Sequence, residues 1–287
     1  VYQLIDFGDG LKLESLSGHT IVRPSPAAEL SRRALRDRWS TYRSIYELPR
    51  KAWTHNRPWP ADLMIDCGNF RMPVHPTPFG HIGVFPEQFE NWKWLQQRRP
   101  TPPVGNARPL ALNLFAYTGA STIALALAGY DVVHVDAAKP NVAAAKQSVD
   151  ANGLAGVSIR YMVDDAAKFT AREVRRERKY GTIVLDPPAY GHTPKGKTWR
   201  IERDLWPLLE NCLRLVDPAG FRLLVTGHSP QVVAGDVIKY FQQASLTKRF
   251  SVAFDSGRSV LKDLSGRSLD AGFFVRVEAP GSIQAQA

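Results

Sequence analysis

The 287-residue chain is 44% hydrophobic and carries 37 Lys and Arg against 27 Asp and Glu, a formal charge of +10. That length can bury a sizeable core, and the basic excess favours an anionic partner, nucleic acid being the natural candidate. With only two cysteines, Cys67 and Cys212, a disulfide framework and a zinc-ligand spacing are excluded, a reducing cytoplasm is expected and a metal is not; no apolar run approaches the roughly 18 residues of a membrane span.

Residues 1 to about 25 alternate in short β-like runs separated by Gly8-Asp-Gly and Ser17-Gly-His turn signals, which predicts a small β-rich extension. Across 26–48, Arg32, Arg33, Arg36, Arg38 and Arg43 accompany Trp39, Tyr42 and Tyr46. This predicts a basic, aromatic helix suited to phosphates and bases, or a solvated face with its aromatics turned inward. Prolines at 58, 60, 73, 76 and 78 preclude a long helix between Trp53 and Gly83 and permit short edge strands. Phe89, Trp92 and Leu95 share one face of a following helix, predicted to dock on the core. Arg98–Pro109 is proline-rich and reads as a linker. The expected organisation is a substrate-recognition region over 1–97, the linker over 98–109, a ligand-binding domain over 110–278 and a loose tail over 279–287.

After the linker, strands and helices alternate. Strands are predicted at 110–115, 131–135, 157–163, 182–186 and 221–226. Helices are predicted at 120–128, closed by Gly129, at 140–151, opened by Pro140, and at 165–177, 201–215 and 230–243. Two last β-like segments, 247–254 and 271–277, predict an antiparallel hairpin on the sheet edge. The fold class is therefore α/β, a doubly wound, mostly parallel seven-stranded sheet with helices on both faces.

Ligands of such sheets bind beyond the carboxyl ends of the strands. The first such end, Leu-Phe-Ala-Tyr-Thr-Gly, contains a single glycine, Gly119. It can bring backbone N–H groups and a helix N-terminus to a polar ligand, but no G-x-G-x-x-G is present to cradle a pyrophosphate. Asp136, seventeen residues after Gly119, suits ribose hydroxyls or caps the next helix. Asp164-Asp165 offers an acceptor to an amino group of a base, and a cap explains one of the two equally well. In Asp186-Pro187-Pro188-Ala189-Tyr190, two prolines remove two backbone donors and leave carbonyls to face a substrate amine, with an aromatic ring beyond to stack on a planar base. His192, His228 and the Gly191–Arg200 stretch are chemical or structural on equal terms, and the stretch reads as a lid or an ordinary loop.

This order of strand, lone-glycine loop, acid, second acid and Asp-Pro-Pro resembles the class I S-adenosylmethionine-dependent methyltransferases. Leu-Phe-Ala-Tyr-Thr-Gly, Asp-Pro-Pro-Ala-Tyr-Gly and the upstream Gly83-Val-Phe-Pro-Glu-Gln are similar to the bacterial large-subunit ribosomal RNA methyltransferases that modify cytosine C5 or guanine N7, over roughly residues 79–277. The resemblance implies a Rossmann-like fold, S-adenosylmethionine as cofactor and an RNA substrate. It implies that Phe115, Tyr117, Thr118 and Gly119 shape the methionine end, Asp136 holds the ribose, Asp165 the adenine amino group, and Asp186, Pro187, Pro188 and Tyr190 the transfer site. Three departures stand out. Ala120 stands where a second glycine is common, no separate RNA-binding module is matched, and neither Asp186–Gly191 nor Thr226–Ser229 contains the cysteine that methylation of cytosine C5 requires. Direct attack by a base nitrogen is therefore expected, with a protein or small-molecule substrate, or an RNA-binding module without turnover, as alternatives.

Overall fold

The computed structural model describes residues 1–97, 108–192, 198–245 and 251–279. Most of the proposed linker (98–107), the middle of the proposed lid (193–197) and the tail from 280 lie outside the described residues. The chain divides into two compact units, Val1–Lys93 with Ser259–Ala271, and Trp94–Arg258 with the chain from Gly272 onward.

In the first unit β1 (Tyr2–Gly8), β2 (Leu11–Leu16), β3 (His19–Pro24), β4 (Ser44–Glu47) and β5 (Ala52–His55) form a five-stranded sheet in that order, and β6 (Met64–Asp66) pairs with β7 (Arg71–Pro73). Tight turns at Asp9-Gly10 and Ser17-Gly18, all four residues with positive φ, join the first three strands. Glu14 is buried on β2 and survives as a carboxylate because Arg23 Nε and Nη2 donate to it at 2.7 and 2.8 Å.

The helix expected over 26–48 does not form. Residues Pro26–Ala28 and Arg36–Thr41 are short 3-10 turns, and the chain then enters β4. The reason is tertiary. The buried Asp6 carboxylate accepts from Ala34 N, Leu35 N and Trp39 Nε1 at 3.2, 2.9 and 2.7 Å, so these amides serve an acid on β1 rather than a helical ladder. Burial would raise the Asp6 pKa, yet the indole and amide donors outweigh it and hold it below the ordinary value. Arg33 pairs with Asp9 and lies 4.0 Å over the Trp39 ring, while Arg32, Arg36, Arg38 and Arg43 are exposed.

After α1 (Phe89–Gln97) the second unit runs β8 (Leu110–Leu114), α2 (Ala120–Leu127), β9 (Asp131–Asp136), α3 (Lys139–Asp150), β10 (Ile159–Val163), α4 (Ala166–Arg175) and β11 (Thr182–Leu185). A small pair, β12 (Tyr190–His192) and β13 (Thr198–Arg200), leads into α5 (Ile201–Leu215), β14 (Phe221–Gly227), α6 (Ala234–Gln243), β15 (Ala253–Lys262) and β16 (Ser268–Ala279). The seven-stranded sheet has the order β10-β9-β8-β11-β14-β16-β15; its first five strands are parallel, and β16 is antiparallel to β14. The chain winds outward from β8 to β10 and then returns past β8 to β11, so the order reverses between β8 and β11. Right-handed crossovers then carry the two sets of helices to opposite faces, in keeping with α2 lying beside α3 and α4 beside α5.

The final hairpin runs Ala253–Lys262 and Ser268–Ala279; its second strand contains the predicted 271–277, but its first lies C-terminal to the predicted 247–254 and shares only 253 and 254 with it, residues 251 and 252 not being strand and 247–250 lying outside the described residues. Residues 255–262 and 268–270 carry too many small and polar side chains to read as strand. The turn is closed by the Asp263 carboxylate, which accepts from Ser265 N and Arg267 N, both at 2.9 Å. Ala279, assigned to the tail by sequence, is a buried strand residue. Among the described residues no helix is long and apolar enough to cross a membrane.

Candidate active site

The loop after β8 is strained and tightly held. Phe115, Tyr117 and Gly119 adopt positive φ of 53°, 49° and 94°, a region that disfavours side chains. Gly119 is also required by space, since a Cβ there would stand 3.0 Å from Ala145 Cβ on α3. Ala116 N donates to Val135 O at 3.1 Å, and Ile123 N to Gly119 O at 2.9 Å, tying the loop to β9 and starting α2.

Asp136, half-buried at the end of β9, fastens this loop. One carboxylate oxygen accepts from Tyr117 N at 2.9 Å; the other accepts from Ala138 N at 2.9 Å and Asn141 Nδ2 at 3.1 Å. The helix cap weighed as the alternative from sequence does not form, because the N-cap residue of α3 is Ala138 and no side chain caps it; Asp136 instead closes a turn through Ala138 N on the carboxyl edge. A carboxylate offers about four lone-pair sites, of which three are filled, so Oδ2 can still receive a hydroxyl donor from a ligand. After β10, Asp164 accepts from Asp165 N at 2.8 Å and pairs with Arg172. Asp165 caps α4 by accepting from Lys168 N at 2.9 Å.

Sequence reasoning passed over the support beneath the loop. Asn113, His134 and Tyr161 lie side by side on β8, β9 and β10. Asn113 Nδ2 donates to Thr122 Oγ1 at 2.9 Å, and Thr122 Oγ1 lies 2.9 Å from His134 Nδ1. Burial pushes the His134 pKa down to about 4, against a smaller opposing pull from the Tyr117 backbone, so the ring is neutral. The available signal was a histidine inside an apolar strand with an asparagine in the strand before it.

After β11, Asp186 Oδ1 accepts from Thr226 Oγ1 of β14 at 2.5 Å. Pro187 is buried, while Pro188 and Tyr190 are exposed, Tyr190 by 55%. The Pro188 carbonyl is not open to a substrate amine as the sequence reading supposed, for Trp199 Nε1 donates to it at 2.7 Å. Trp199 is buried and its ring lies 5.1 Å from Phe115. It is therefore a strut between the β8 loop and the Asp-Pro-Pro turn, and this end of the supposed lid is fixed. His228 is exposed at the end of β14.

Along the carboxyl edge the sheet order thus sets out Asp165, Asp136, the 115–119 loop, Asp186–Tyr190 and His228 in sequence. The set is rich in carboxylate acceptors, suits a ligand that brings hydroxyl and amino donors, and opposes a phosphate.

No protein-family model matches the chain. The crystal structure of the S-adenosylmethionine-dependent methyltransferase from Agrobacterium tumefaciens is 32% identical, covers 96% of this chain and 90% of its own, and superposes with a TM-score of 0.84. The chain belongs to the S-adenosylmethionine-dependent methyltransferases. A methyltransferase from Streptococcus mutans shares the fold at 15% identity, with a TM-score of 0.73 over 97% of this chain and 75% of its own. Among curated relatives, the ribosomal RNA large subunit methyltransferase K/L of Methylococcus capsulatus is 29% identical over 146 residues, 48% of this chain and 20% of that protein. The present methyltransferase spans about a fifth or less of the curated relatives it matches. Its cofactor is S-adenosylmethionine, and the acceptor-rich edge fits that ligand, which has a ribose and an adenine and no phosphate.

Proposed function

We propose that this methyltransferase acts on RNA, ribosomal RNA foremost, and methylates a nitrogen of a base. The observation that carries the nitrogen reading is the carboxyl end of β11. There Asp186, oriented by Thr226, precedes a rigid proline pair and an exposed Tyr190. In this reading Asp165 receives the adenine amino group, Asp136 a ribose hydroxyl, and the 115–119 loop the methionine end. The bound cofactor supplies an electrophilic methyl on a sulfonium. Tyr190 stacks on the target base, and Asp186 accepts a hydrogen bond from its amino group, aligning the nitrogen lone pair with that methyl. The nitrogen–carbon bond forms as the sulfur–carbon bond breaks, and the nitrogen then loses a proton to solvent. Alignment and fixed electrostatics carry the rate.

Neither cysteine supports a covalent route. Burial pushes the Cys67 thiol up to about 12 and the Cys212 thiol higher still, so neither supplies a thiolate at neutral pH. The RNA reading draws on the charge of +10 and on the ribosomal RNA methylation for which the curated relatives are named; such a substrate implies a cytoplasmic protein. The test is to incubate the protein with methyl-labelled cofactor and total RNA, protein or small-molecule extract. Label in an RNA base nitrogen is expected, with the Cys67→Ala, Cys212→Ala variant retaining most of the activity. Label confined to protein or small molecules removes the RNA reading. Covalent trapping on RNA containing 5-fluorocytosine removes the nitrogen reading.

A further inference from the structure

We infer that the first unit carries a stacking platform for unpaired RNA bases on edge strand β5, formed by Trp53 and His55 with Arg43 and Arg57 beside it. This rests on the RNA reading above. Trp53 and His55 are two residues apart and so share one face of the strand. Their rings are parallel to within 5°, with centroids 6.2 Å apart. Trp59 stands edge-on to both, at 5.5 and 6.2 Å.

The polar handles of these aromatics are consumed internally. Trp53 Nε1 donates to Thr77 O at 2.8 Å, Trp59 Nε1 to Val74 O at 3.0 Å and Tyr46 Oη to Pro78 O at 3.0 Å. His55 Nδ1 lies 2.8 Å from Ser44 Oγ, which lies 3.0 Å from His19 Nε2, so the His55 ring is held at a fixed angle. Tyr46 is buried, whereas Trp53 and Trp59 are half-buried and His55 is exposed. What the indoles leave to solvent is ring surface without a donor to offer. Such rings are sequence-tolerant supports for bases, each worth a substantial share of single-strand affinity.

The charge around the platform matches a polyanion. The Arg43 carbonyl accepts from Asn56 N and Arg57 N at 2.7 and 3.2 Å, which brings both arginines to the His55 end of β5. Both side chains are exposed, and neither forms an ion pair among the described residues. Burial, and after it the charge of Arg43, holds His19 below the usual histidine range. Parallel rings bordered by uncommitted guanidinium groups fit a single strand, with bases on the rings and phosphates on the arginines.

The test uses the full chain and a fluorescently labelled 12-nucleotide oligouridine, with an RNA duplex of equal length for comparison. The single strand should bind more tightly than the duplex. His55→Ala and Trp53→Leu should each weaken it by about tenfold. Arg43→Ala with Arg57→Ala should reduce the slope of log affinity against log salt by about 1.4. An unchanged near-ultraviolet circular dichroism spectrum and unfolding midpoint show that the first unit of each variant remains folded; His55 is exposed, so His55→Ala gives the result even if Trp53→Leu does not fold. Equal binding of duplex, or unchanged oligouridine affinity in His55→Ala and in the arginine pair while RNA still takes up label from the cofactor, removes the platform alone. Absence of label from every RNA fraction removes the RNA reading and the platform with it.

Discussion

The carboxyl edge of the second unit and the β5 face of the first both spend most of their polar atoms internally, but they spend opposite kinds. On the carboxyl edge, Asp136 receives Tyr117 N, Ala138 N and Asn141 Nδ2, Asp164 receives Asp165 N and Arg172, and Asp186 receives Thr226 Oγ1; these partners set the directions of the carboxylates that a ligand meets. At β5 and beside it the donors are consumed, the Trp53 and Trp59 indoles and the Tyr46 phenol all directed at carbonyls of residues 74–78. What remains there is ring surface and exposed arginine. One region is organised to receive hydrogen-bond donors and the other to receive flat, anionic polymers, which is why a single substitution should harm one function and spare the other.

The largest expected effect comes at the proposed transfer site. Asp186→Ala should lower the methyl-transfer rate by about a hundredfold or more, the scale of lost substrate positioning, while calorimetry shows oligouridine affinity unchanged. A parallel loss of oligouridine binding would erase the separation between the two regions.

Next is the buried support of the 115–119 loop. His134 is neutral in the folded protein, with its pKa depressed from 6.5 to about 4, so the unfolded chain binds the extra proton between those values. Its contribution is complete above pH 6.5 and lost as pH falls toward 4, about 3 kcal/mol in all. Urea unfolding at pH 7 and pH 4.5 should show that difference narrowed in His134→Gln. His19 and His81 are shifted in the same direction, so it is the difference between variant and parent that isolates His134.

Asp136→Ala should weaken S-adenosylmethionine binding by about ten- to a hundredfold, as expected for losing charged hydrogen bonds of about 1.5–3 kcal/mol. Titration calorimetry giving the parental affinity would remove Asp136 from the cofactor site. The smallest effect belongs to Trp199→Phe, which keeps a ring against Phe115 and loses the N–H to Pro188 O. About 1 kcal/mol of stability and a several-fold fall in kcat/KM are expected, and an unchanged kcat/KM would show that the strut does not govern transfer.

The alternation of β8 through β14 was legible because buried parallel strands are near-continuous apolar runs flanked by amphipathic helices; α5 falls on its predicted bounds, 201–215. The edge residues were legible for the same reason, since the end of an apolar run marks the carboxyl edge. What could not be read was anything fixed by distant partners. The amides of residues 34 and 35 turn to Asp6, nearly thirty residues earlier, and no local pattern announces this. Trp199 looked like part of a loop rich in glycine and lysine, because its partners Phe115 and Pro188 are joined to it only through the fold. His134 was masked by the apolar strand that buries it.

The close approach of Gly119 to Ala145 has a bearing on engineering. Ala145 is fully buried on α3, and the 3.0 Å between its methyl and a Cβ at position 119 makes the two sites one steric variable. A library meant to admit bulkier analogues of the cofactor, varied at 119 alone, would meet α3 before it met the ligand. Glycine at 145 would remove only the methyl, since Ala145 Cα would still stand 3.3 Å from that Cβ and the positive φ of 94° strains any side chain at 119, so such a library should keep glycine at 119 and vary other positions.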